Sequence, residues 1–269
     1  MNFDVNSLNE EQKKALYETE GVVIVSAGAG SGKTRLLTHR ICYLLQKGVS
    51  PYSILAITFT NKAANEMKER ISQMTNQNIW ISTFHSMCVR ILRNEIDVMP
   101  EYDKNFTIID DGDQEKIIKD IIKKYQCDDD LKSQILNYIS SVKNSGGDFE
   151  DFFAEIMKYD HRTELKTIKK ICFEYDEYLR KNNSLDFDDL LIKTLFLFNN
   201  YPNILQKYAQ RFEYILVDEF QDTNLVQYKI VKKLASVHKN LFVVGDEDQC
   251  IYSWRGANFQ NIFPKYRKD

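Results

Sequence analysis

The fold is decided by a stretch near the start of the chain, Val22-Val23-Ile24-Val25-Ser26-Ala27-Gly28-Ala29-Gly30-Ser31-Gly32-Lys33-Thr34. Its first four residues are all β-branched, as in a strand that is buried on both faces. A glycine-rich turn follows, and residues 35–46 then show helical periodicity. A strand, a glycine-rich turn and a helix in this order predict a phosphate-binding loop of the Walker A type.

The residue types of this turn suit a nucleoside triphosphate. Glycines let backbone N–H groups converge on phosphate oxygens, and the N-terminus of the following helix adds a partial positive charge. We predict that Lys33 reaches the β- and γ-phosphates and that the Thr34 hydroxyl binds Mg²⁺. The pattern G-x-x-x-x-G-K-[ST] has glycine where this chain has Ala27. A glycine-rich turn that merely precedes Lys-Thr is the alternative, but the strand and the helix on either side favour the phosphate loop.

A second motif lies at the end of another apolar run, Tyr214–Val217, which is followed directly by Asp218 and Glu219. This is the Walker B arrangement. We predict that Asp218 holds Mg²⁺ and that Glu219 polarises the water that attacks the γ-phosphate. Adjacent carboxylates repel one another, and a bound cation relieves the repulsion. The alternative, an acidic turn on a solvated loop, is disfavoured because the same chain contains a phosphate loop.

Short apolar runs of the same kind recur along the chain, and each is predicted to be a strand: Val22–Val25, Ile54–Phe59, Ile79–Phe84, Tyr214–Val217 and Leu241–Val244. Amphipathic helical segments separate them, for example Arg35–Gln46 and Asn61–Gln73. This alternation predicts an α/β domain with a parallel sheet covered by helices.

The middle of the chain differs from both ends. Strand signals are absent from about Asp110 to Asn183, where Lys- and Glu-rich helical periodicity prevails. The predicted segments are Gln114–Tyr125, Leu131–Lys143 and Lys166–Lys181. We therefore predict an α/β domain in two segments, 1–109 and 188–269, with an inserted all-α subdomain at 110–187.

Composition narrows the class of protein less than the motifs do. Lys and Arg total 36 against 39 Asp and Glu, a net charge of −3, so the chain is not a uniformly basic nucleic-acid binder, although one groove can still be positive. Five scattered cysteines without a C-x-x-C pair predict reduced thiols. No secretory leader or membrane span is evident. These features predict a cytoplasmic protein without a membrane partner.

Six ordered segments resemble motifs of the superfamily-1 DNA helicases of the UvrD/Rep/PcrA type, between Leu8 and about Lys265. They are a Q motif (Leu8–Gln12), that family's own phosphate loop with alanine first (Ala27–Arg35), motif Ia (Ile57–Ala64), motif Ib (Ser82–Ser86), motif II (Val217–Thr223) and motif III (Gly245–Ala257). Leu185–Leu190 is similar to the segment that closes the inserted subdomain. Cys250 replaces the usual serine of motif III. The resemblance implies a RecA-like P-loop NTPase fold and ATP-dependent helicase activity.

The resemblance also implies the site residues. ATP and Mg²⁺ would be the cofactors, with Gln12 at the adenine and Arg35 near the nucleotide. The nucleotide-binding set is Gln12, Ala27, Gly28, Ala29, Gly30, Ser31, Gly32, Lys33, Thr34 and Arg35. Thr34 and Asp218 would bind the metal, and the catalytic residues would be Lys33, Glu219 and Gln249, the last as a γ-phosphate sensor.

Motifs Ia, Ib and III imply a contact with single-stranded DNA and with single-strand/duplex junctions. The DNA-binding candidates are Phe59, Asn61, Thr83, His85, Tyr252, Trp254 and Arg255. Aromatic faces stack on any base without sequence preference. Each has a plainer alternative: Phe59 as core, Trp254 with Arg255 as a surface cation–π pair, and His85 as a buried, hydrogen-bonded histidine.

Motifs IV to VI of the family, which belong to a second motor domain, do not follow motif III in these 269 residues. The arginines of such a domain stabilise charge at the γ-phosphate, so we expect only feeble hydrolysis and no unwinding from this chain alone. Repair or replication proteins are expected partners. Two alternatives stay open: the motor part of a helicase–nuclease subunit, and a non-catalytic, ATP-gated DNA-binding or docking module.

Overall fold

A computed structural model of the chain describes residues 4–28, 30–159 and 163–246. In these ranges the strands are β1 (Val22–Ser26), β2 (Ile54–Thr58), β3 (Trp80–Thr83), β4 (Thr107–Ile109), β5 (Ser184–Asp186), β6 (Tyr214–Val217) and β7 (Asn240–Gly245). The helices are α1 (Glu10–Tyr17), α2 (Lys33–Gln46), α3 (Asn61–Met74), α4 (Phe84–Glu95), α5 (Asp111–Lys124), α6 (Leu131–Ser145), α7 (Phe149–Ile156), α8 (Thr163–Lys181), α9 (Phe187–Asn200), α10 (Pro202–Arg211) and α11 (Leu225–Leu234).

The chain folds into two compact units. The sheet unit takes the described residues up to Met87 and from Leu197 onward, and the helical unit is Cys88–Phe196. The predicted insertion, 110–187, lies inside the helical unit, which extends further in both directions because it also takes most of α4 and of α9.

The sheet unit contains a five-stranded parallel sheet with the order β1-β7-β6-β2-β3. All five predicted strands are present, each within one residue of its expected limits. The apolar side chains of β2, β3 and β7 are buried in a core that also contains Ile41 of α2 and Met67 of α3. The expectation that β1 is buried on both faces is corrected: β1 is the first strand in the sheet order, and its Val22 is 46% exposed. Because the strands are parallel, all five carboxyl ends lie at one edge of the sheet, where ligands bind in folds of this kind.

The helical unit has its own core. It is built from apolar residues of α5, α6, α7 and α8, including Ile118, Ile139, Phe153, Ile171 and Leu179. The periodicity of the sequence predicted three of these four helices, and all three are confirmed.

One detail of the predicted all-α insertion is corrected. Ser184–Asp186 forms β5, which pairs in parallel with β4 just before α5. Three-residue strands are too short to show an alternating pattern, and Asn183 turns the chain out of α8 with a φ of +45°.

Among the described residues, no helix combines the length and the apolarity that crossing a membrane requires.

Candidate active site

The glycine-rich turn joins β1 to α2 at the carboxyl edge of the sheet. Gly30 and Gly32 have φ values of +72° and +86°, which glycine adopts without strain. A Cβ on Gly32 would lie 3.1 Å from the Arg35 guanidinium and 3.4 Å from Gln12 Nε2. The Ala27 N–H donates a 2.9 Å hydrogen bond to the carbonyl of Gly245, which ties the start of the loop to the end of β7. The loop therefore delivers the open N-terminus of α2 to this edge, as phosphate binding requires.

Lys33, the first residue of α2, projects into a nearly closed space. Its side chain is only 9% exposed, and its Nζ donates a 3.1 Å hydrogen bond to the Ala27 carbonyl. The same Nζ lies 3.9 Å from Glu219 Oε2 and 4.0 Å from Asp246 Oδ2. The cation is thus placed between the glycine-rich turn and the carboxylates that follow β6 and β7.

Asp218 follows β6 at the same edge. Its backbone N–H donates to the Ile57 carbonyl at 2.9 Å, and its Oδ2 accepts a 3.4 Å hydrogen bond from the Thr34 hydroxyl. The carboxylate is buried, and burial raises its pKa to about 6, with the charge of Glu219 acting in the same direction. Thr34 and Asp218, which were predicted from separate motifs, therefore lie in contact. The ionised form of the Asp218 carboxylate is unfavourable in this buried position.

Glu219 has a left-handed backbone, with a φ of +48°. Its Oε2 accepts a 2.8 Å hydrogen bond from Gln221 Nε2. Asp222, three residues beyond, is largely buried; burial raises its pKa to about 6, and Glu219 is the second cause. Among the described residues, none donates a hydrogen bond to Asp222 Oδ1.

The side chains of this edge fit a magnesium-bound triphosphate. Asp218, Glu219, Asp222 and Asp246 all interact electrostatically with Lys33, so the edge has an excess of negative charge that favours a cation. A hydroxyl and a carboxylate are ligands that Mg²⁺ prefers. Among the described residues, no group of three or more His, Cys, Asp or Glu side chains is placed to hold a metal by itself. Mg²⁺ commonly completes its coordination with water and substrate phosphates, so two protein oxygens suffice.

Gln12 lies beside the turn. Its Nε2 donates a 2.8 Å hydrogen bond to the Ser31 carbonyl, and its Oε1 accepts from the Asn9 N–H at 3.0 Å as part of the cap of α1. Arg35 is exposed one turn into α2. The structure thus brings both Gln12 and Arg35 close to Gly32.

The DNA-binding candidates that the structure describes lie at the same edge, after β2 and β3. Phe59 is half-buried and Asn61 is exposed at the start of α3. His85 is half-buried in the first turn of α4. The Thr83 hydroxyl accepts from the Ser86 N–H at 3.2 Å, so it also caps α4. Thr58 pairs with Thr83 across the two strands, which places the motif Ia and Ib residues side by side.

Five predicted residues lie outside the described part of the chain: Ala29, Gln249, Tyr252, Trp254 and Arg255. Conversely, Gln221 and Asp246 contribute to the site although no role was predicted for them. Asp246 follows the apolar run of β7 just as Asp218 follows β6, and that repeated pattern is the signal that indicates it.

Comparison with known proteins agrees with this geometry. The family model for the UvrD/REP helicase N-terminal domain matches residues 8–268. The chain belongs to the UvrD/REP helicase N-terminal domain family. Membership accounts for the parallel sheet, the glycine-rich turn after β1 and the acidic pair after β6.

Individual relatives extend the comparison. An ATP-dependent DNA helicase PcrA from Staphylococcus aureus (strain Mu50) is 50% identical over 275 aligned residues, which cover 100% of this chain and 37% of the relative. The PcrA of Staphylococcus epidermidis (strain RP62A) is 50% identical over 268 residues, which cover 97% of the chain and 36% of the relative. The chain therefore spans little more than a third of the length of these relatives.

Proposed function

We propose that this chain is the ATP-binding motor part of an ATP-dependent DNA helicase, which couples hydrolysis to movement along single-stranded DNA. The observation that supports this most strongly is the position of Lys33, held between the glycine-rich turn and the carboxylates after β6 and β7. Family membership and the PcrA relatives point to the same activity.

The nucleotide would be held by the residues of the turn and its neighbours. The amides of Gly28, Gly30 and Ser31 and the N-terminus of α2 would bind phosphate oxygens. Lys33 would exchange the Ala27 carbonyl for the β- and γ-phosphates, which is possible because Nζ makes one hydrogen bond to the residues that the structure describes. Gln12 would read the adenine edge and Arg35 would lie near the nucleotide.

The reaction would use the acidic pair after β6. Thr34 and Asp218 would hold Mg²⁺, which when bound neutralises charge that develops on the phosphates. Glu219 would orient the attacking water and accept its proton, because its carboxylate stands 3.9 Å from the Lys33 ammonium that marks the phosphate end of the site. Gln249 would sense the γ-phosphate.

Single-stranded DNA would cross the sheet edge after β2 and β3. Phe59 would stack on a base, and Asn61, Thr83 and His85 would contact phosphates. Tyr252, Trp254 and Arg255 would add a second stacking group. Junctions with duplex DNA, and repair or replication proteins, would be partners of the whole protein. Cys42, Cys88, Cys127 and Cys172 are free thiols, which supports a reducing, cytoplasmic setting.

The test is to measure the affinity of the chain for a fluorescent single strand in three states: without nucleotide, with ADP·Mg and with a non-hydrolysable ATP·Mg analogue. A helicase motor changes its affinity for DNA with the nucleotide state. Different DNA affinities in the three states would support the proposal. Tight nucleotide binding with one constant DNA affinity would favour a docking module instead.

A further inference from the structure

Gln221 lies between the ends of two neighbouring strands, β6 and β7. The side chain is buried, at 2% exposure. Its Nε2 donates a 2.8 Å hydrogen bond to Glu219 Oε2, and its Oε1 accepts a 3.0 Å hydrogen bond from the backbone N–H of Asp246. Both ends of the amide are therefore used, and the carboxylate that follows β6 is joined to the main chain that follows β7.

We infer that Gln221 is a positioning residue that fixes the Glu219 carboxylate against the end of β7. This inference rests on the proposed function, in which Glu219 orients the attacking water. Gln221 itself touches neither the water nor the nucleotide in this account; it acts through Glu219.

Glu219 needs such a support. Its φ of +48° is uncommon for a residue other than glycine, and its side chain is 38% exposed with three rotatable bonds. Asp218 next to it adds a like charge. A proton acceptor works only when it stays within hydrogen-bond reach of the water. A donor on a buried, immobile amide supplies that constraint, because hydrogen bonds to a carboxylate are stronger than neutral ones.

The backbone at the end of β7 packs closely against the same amide. A Cβ at Gly245 would lie 2.8 Å from Gln221 Oε1 and 3.3 Å from the Gln221 backbone nitrogen. Any side chain at position 245 would displace the amide oxygen and disturb its bond to the Asp246 N–H. Gly245 therefore leaves space for the Oε1 atom that accepts from the Asp246 N–H.

Two substitutions separate the two contacts. The glutamine amide donates to a carboxylate and accepts from an N–H at the same time, and neither methionine nor an ionised glutamate can do both. Gln221→Met keeps the length of the side chain and loses both contacts. Gln221→Glu keeps an acceptor for the Asp246 N–H but sets a second negative charge against Glu219.

The first measurement needs no nucleotide. Hydrogen exchange of the Asp246 amide, followed by NMR in the 269-residue chain, should be slow in the wild type. It should be faster by about tenfold or more in Gln221→Met and remain slow in Gln221→Glu. Equal protection of this amide in the wild type and in Gln221→Met would overturn the inference.

The second measurement is single-turnover hydrolysis of ATP·Mg, with the affinity for the nucleotide determined in parallel. Both variants should hydrolyse bound ATP about tenfold or more slowly, with nucleotide affinity changed by less than about threefold, since only the water-orienting group is displaced. Gly245→Ala should slow hydrolysis in the wild type and add little to Gln221→Met, because both act on one amide.

Gln227→Met is the matched control. Gln227 is a second buried glutamine of the sheet unit, and its Oε1 accepts from the Asn224 N–H at 3.0 Å to cap α11. Its loss should lower stability and leave the hydrolysis rate of bound ATP unchanged. A rate in Gln221→Met equal to that of the wild type, or an equal loss in Gln227→Met, would contradict the inference. A wild-type chain that binds no ATP·Mg would instead contradict the proposed function, and exchange of the Asp246 amide would still decide whether the bridge exists.

Discussion

The Thr34 hydroxyl lies 3.4 Å from the Asp218 carboxylate, and this contact joins the first turn of α2 to the end of β6. Burial and the neighbouring Glu219 hold the pKa of Asp218 at about 6. In the folded chain without a cation, the ionised carboxylate is therefore costly at neutral pH.

Asp218→Asn should stabilise the nucleotide-free chain at pH 7 by about 1–3 kcal/mol. The pKa of Asp218 is raised in the folded state from 3.8 to about 6, so folding is penalised above pH 6 and the penalty fades as the pH falls toward 4. Urea denaturation at pH 7 and at pH 4.5 should show a difference between the two proteins that shrinks at the lower pH. The variant should also lose the dependence of nucleotide affinity on Mg²⁺. A variant that is less stable at pH 7, or that still responds to Mg²⁺, would argue against the metal assignment.

Asp222→Asn should also raise stability at pH 7, by about 1 kcal/mol. Its pKa is about 6, first because of burial and second because of Glu219, and its Oδ1 receives no hydrogen bond from the described residues. The substitution thus removes a charge without breaking a hydrogen bond.

Asp189→Asn in the helical unit is the contrasting variant. Burial and Asp186 raise the pKa of Asp189 to about 6 as well, but both of its oxygens are used: Oδ1 lies 2.9 Å from Lys143 Nζ, and Oδ2 accepts from the Asp186 N–H at 3.3 Å. An asparagine would turn its NH₂ group toward one of these two donors, so the substitution should destabilise. Thermal unfolding that moves in the same direction for both variants would refute this distinction.

Lys143→Met should destabilise the chain by about 3–5 kcal/mol, because it leaves two buried carboxylates without their cation. Lys143 is 4% exposed and lies 2.7 Å from Asp186 and 2.9 Å from Asp189, and these charges keep its pKa above the ordinary value despite burial. Chemical denaturation of the two proteins measures the difference. Lys158→Met, which removes an exposed lysine paired with Glu155 at 2.6 Å, should change stability by less than about 0.5 kcal/mol. Similar losses in the two variants would show that the buried network is not specially stabilising.

Much of the sheet and of the site could be predicted because the signals are local. The apolar runs Val22–Val25 and Tyr214–Val217 form β1 and β6, and each is followed within a few residues by the groups that we propose to act chemically. Since parallel strands place their carboxyl ends together, the meeting of Lys33, Thr34 and Asp218 follows from the order of motifs along the chain.

The parts that could not be predicted depend on contacts between distant positions. The Gln221 amide can bridge Glu219 and Asp246 only because β6 and β7 lie side by side and Gly245 leaves space for the amide oxygen. Lys143 is one of two lysines in α6, and a lysine is expected to be exposed, yet it is buried against Asp186 and Asp189. Its position four residues after Ile139 puts it on the apolar face of the helix, but Asp186, whose carboxylate makes this burial possible, lies 43 residues further along the chain.

Phe59→Ala should weaken binding of single-stranded DNA by about 1–3 kcal/mol, the usual contribution of one stacked base. Fluorescence anisotropy with an oligothymidylate measures the loss. Tyr52→Ala is the control: this tyrosine is 67% exposed and precedes β2 at the opposite end of the strand. Its backbone carbonyl, which accepts from Arg211, is kept in the variant. Equal losses from Phe59→Ala and Tyr52→Ala, or no loss from Phe59→Ala, would remove the β2 end from the DNA path.

The central claim is that a triphosphate binds where Lys33 meets the glycine-rich turn. The direct measurement is the affinity of Lys33→Ala for a fluorescent ATP analogue with Mg²⁺, beside Lys47→Ala, which removes a lysine at the other end of α2. We expect Lys33→Ala to bind at least about thirtyfold more weakly, since a buried cation that pairs with the ligand is lost, and Lys47→Ala to bind like the wild type. A Lys33→Ala chain that is folded and binds ATP·Mg as tightly as the wild type would contradict the account.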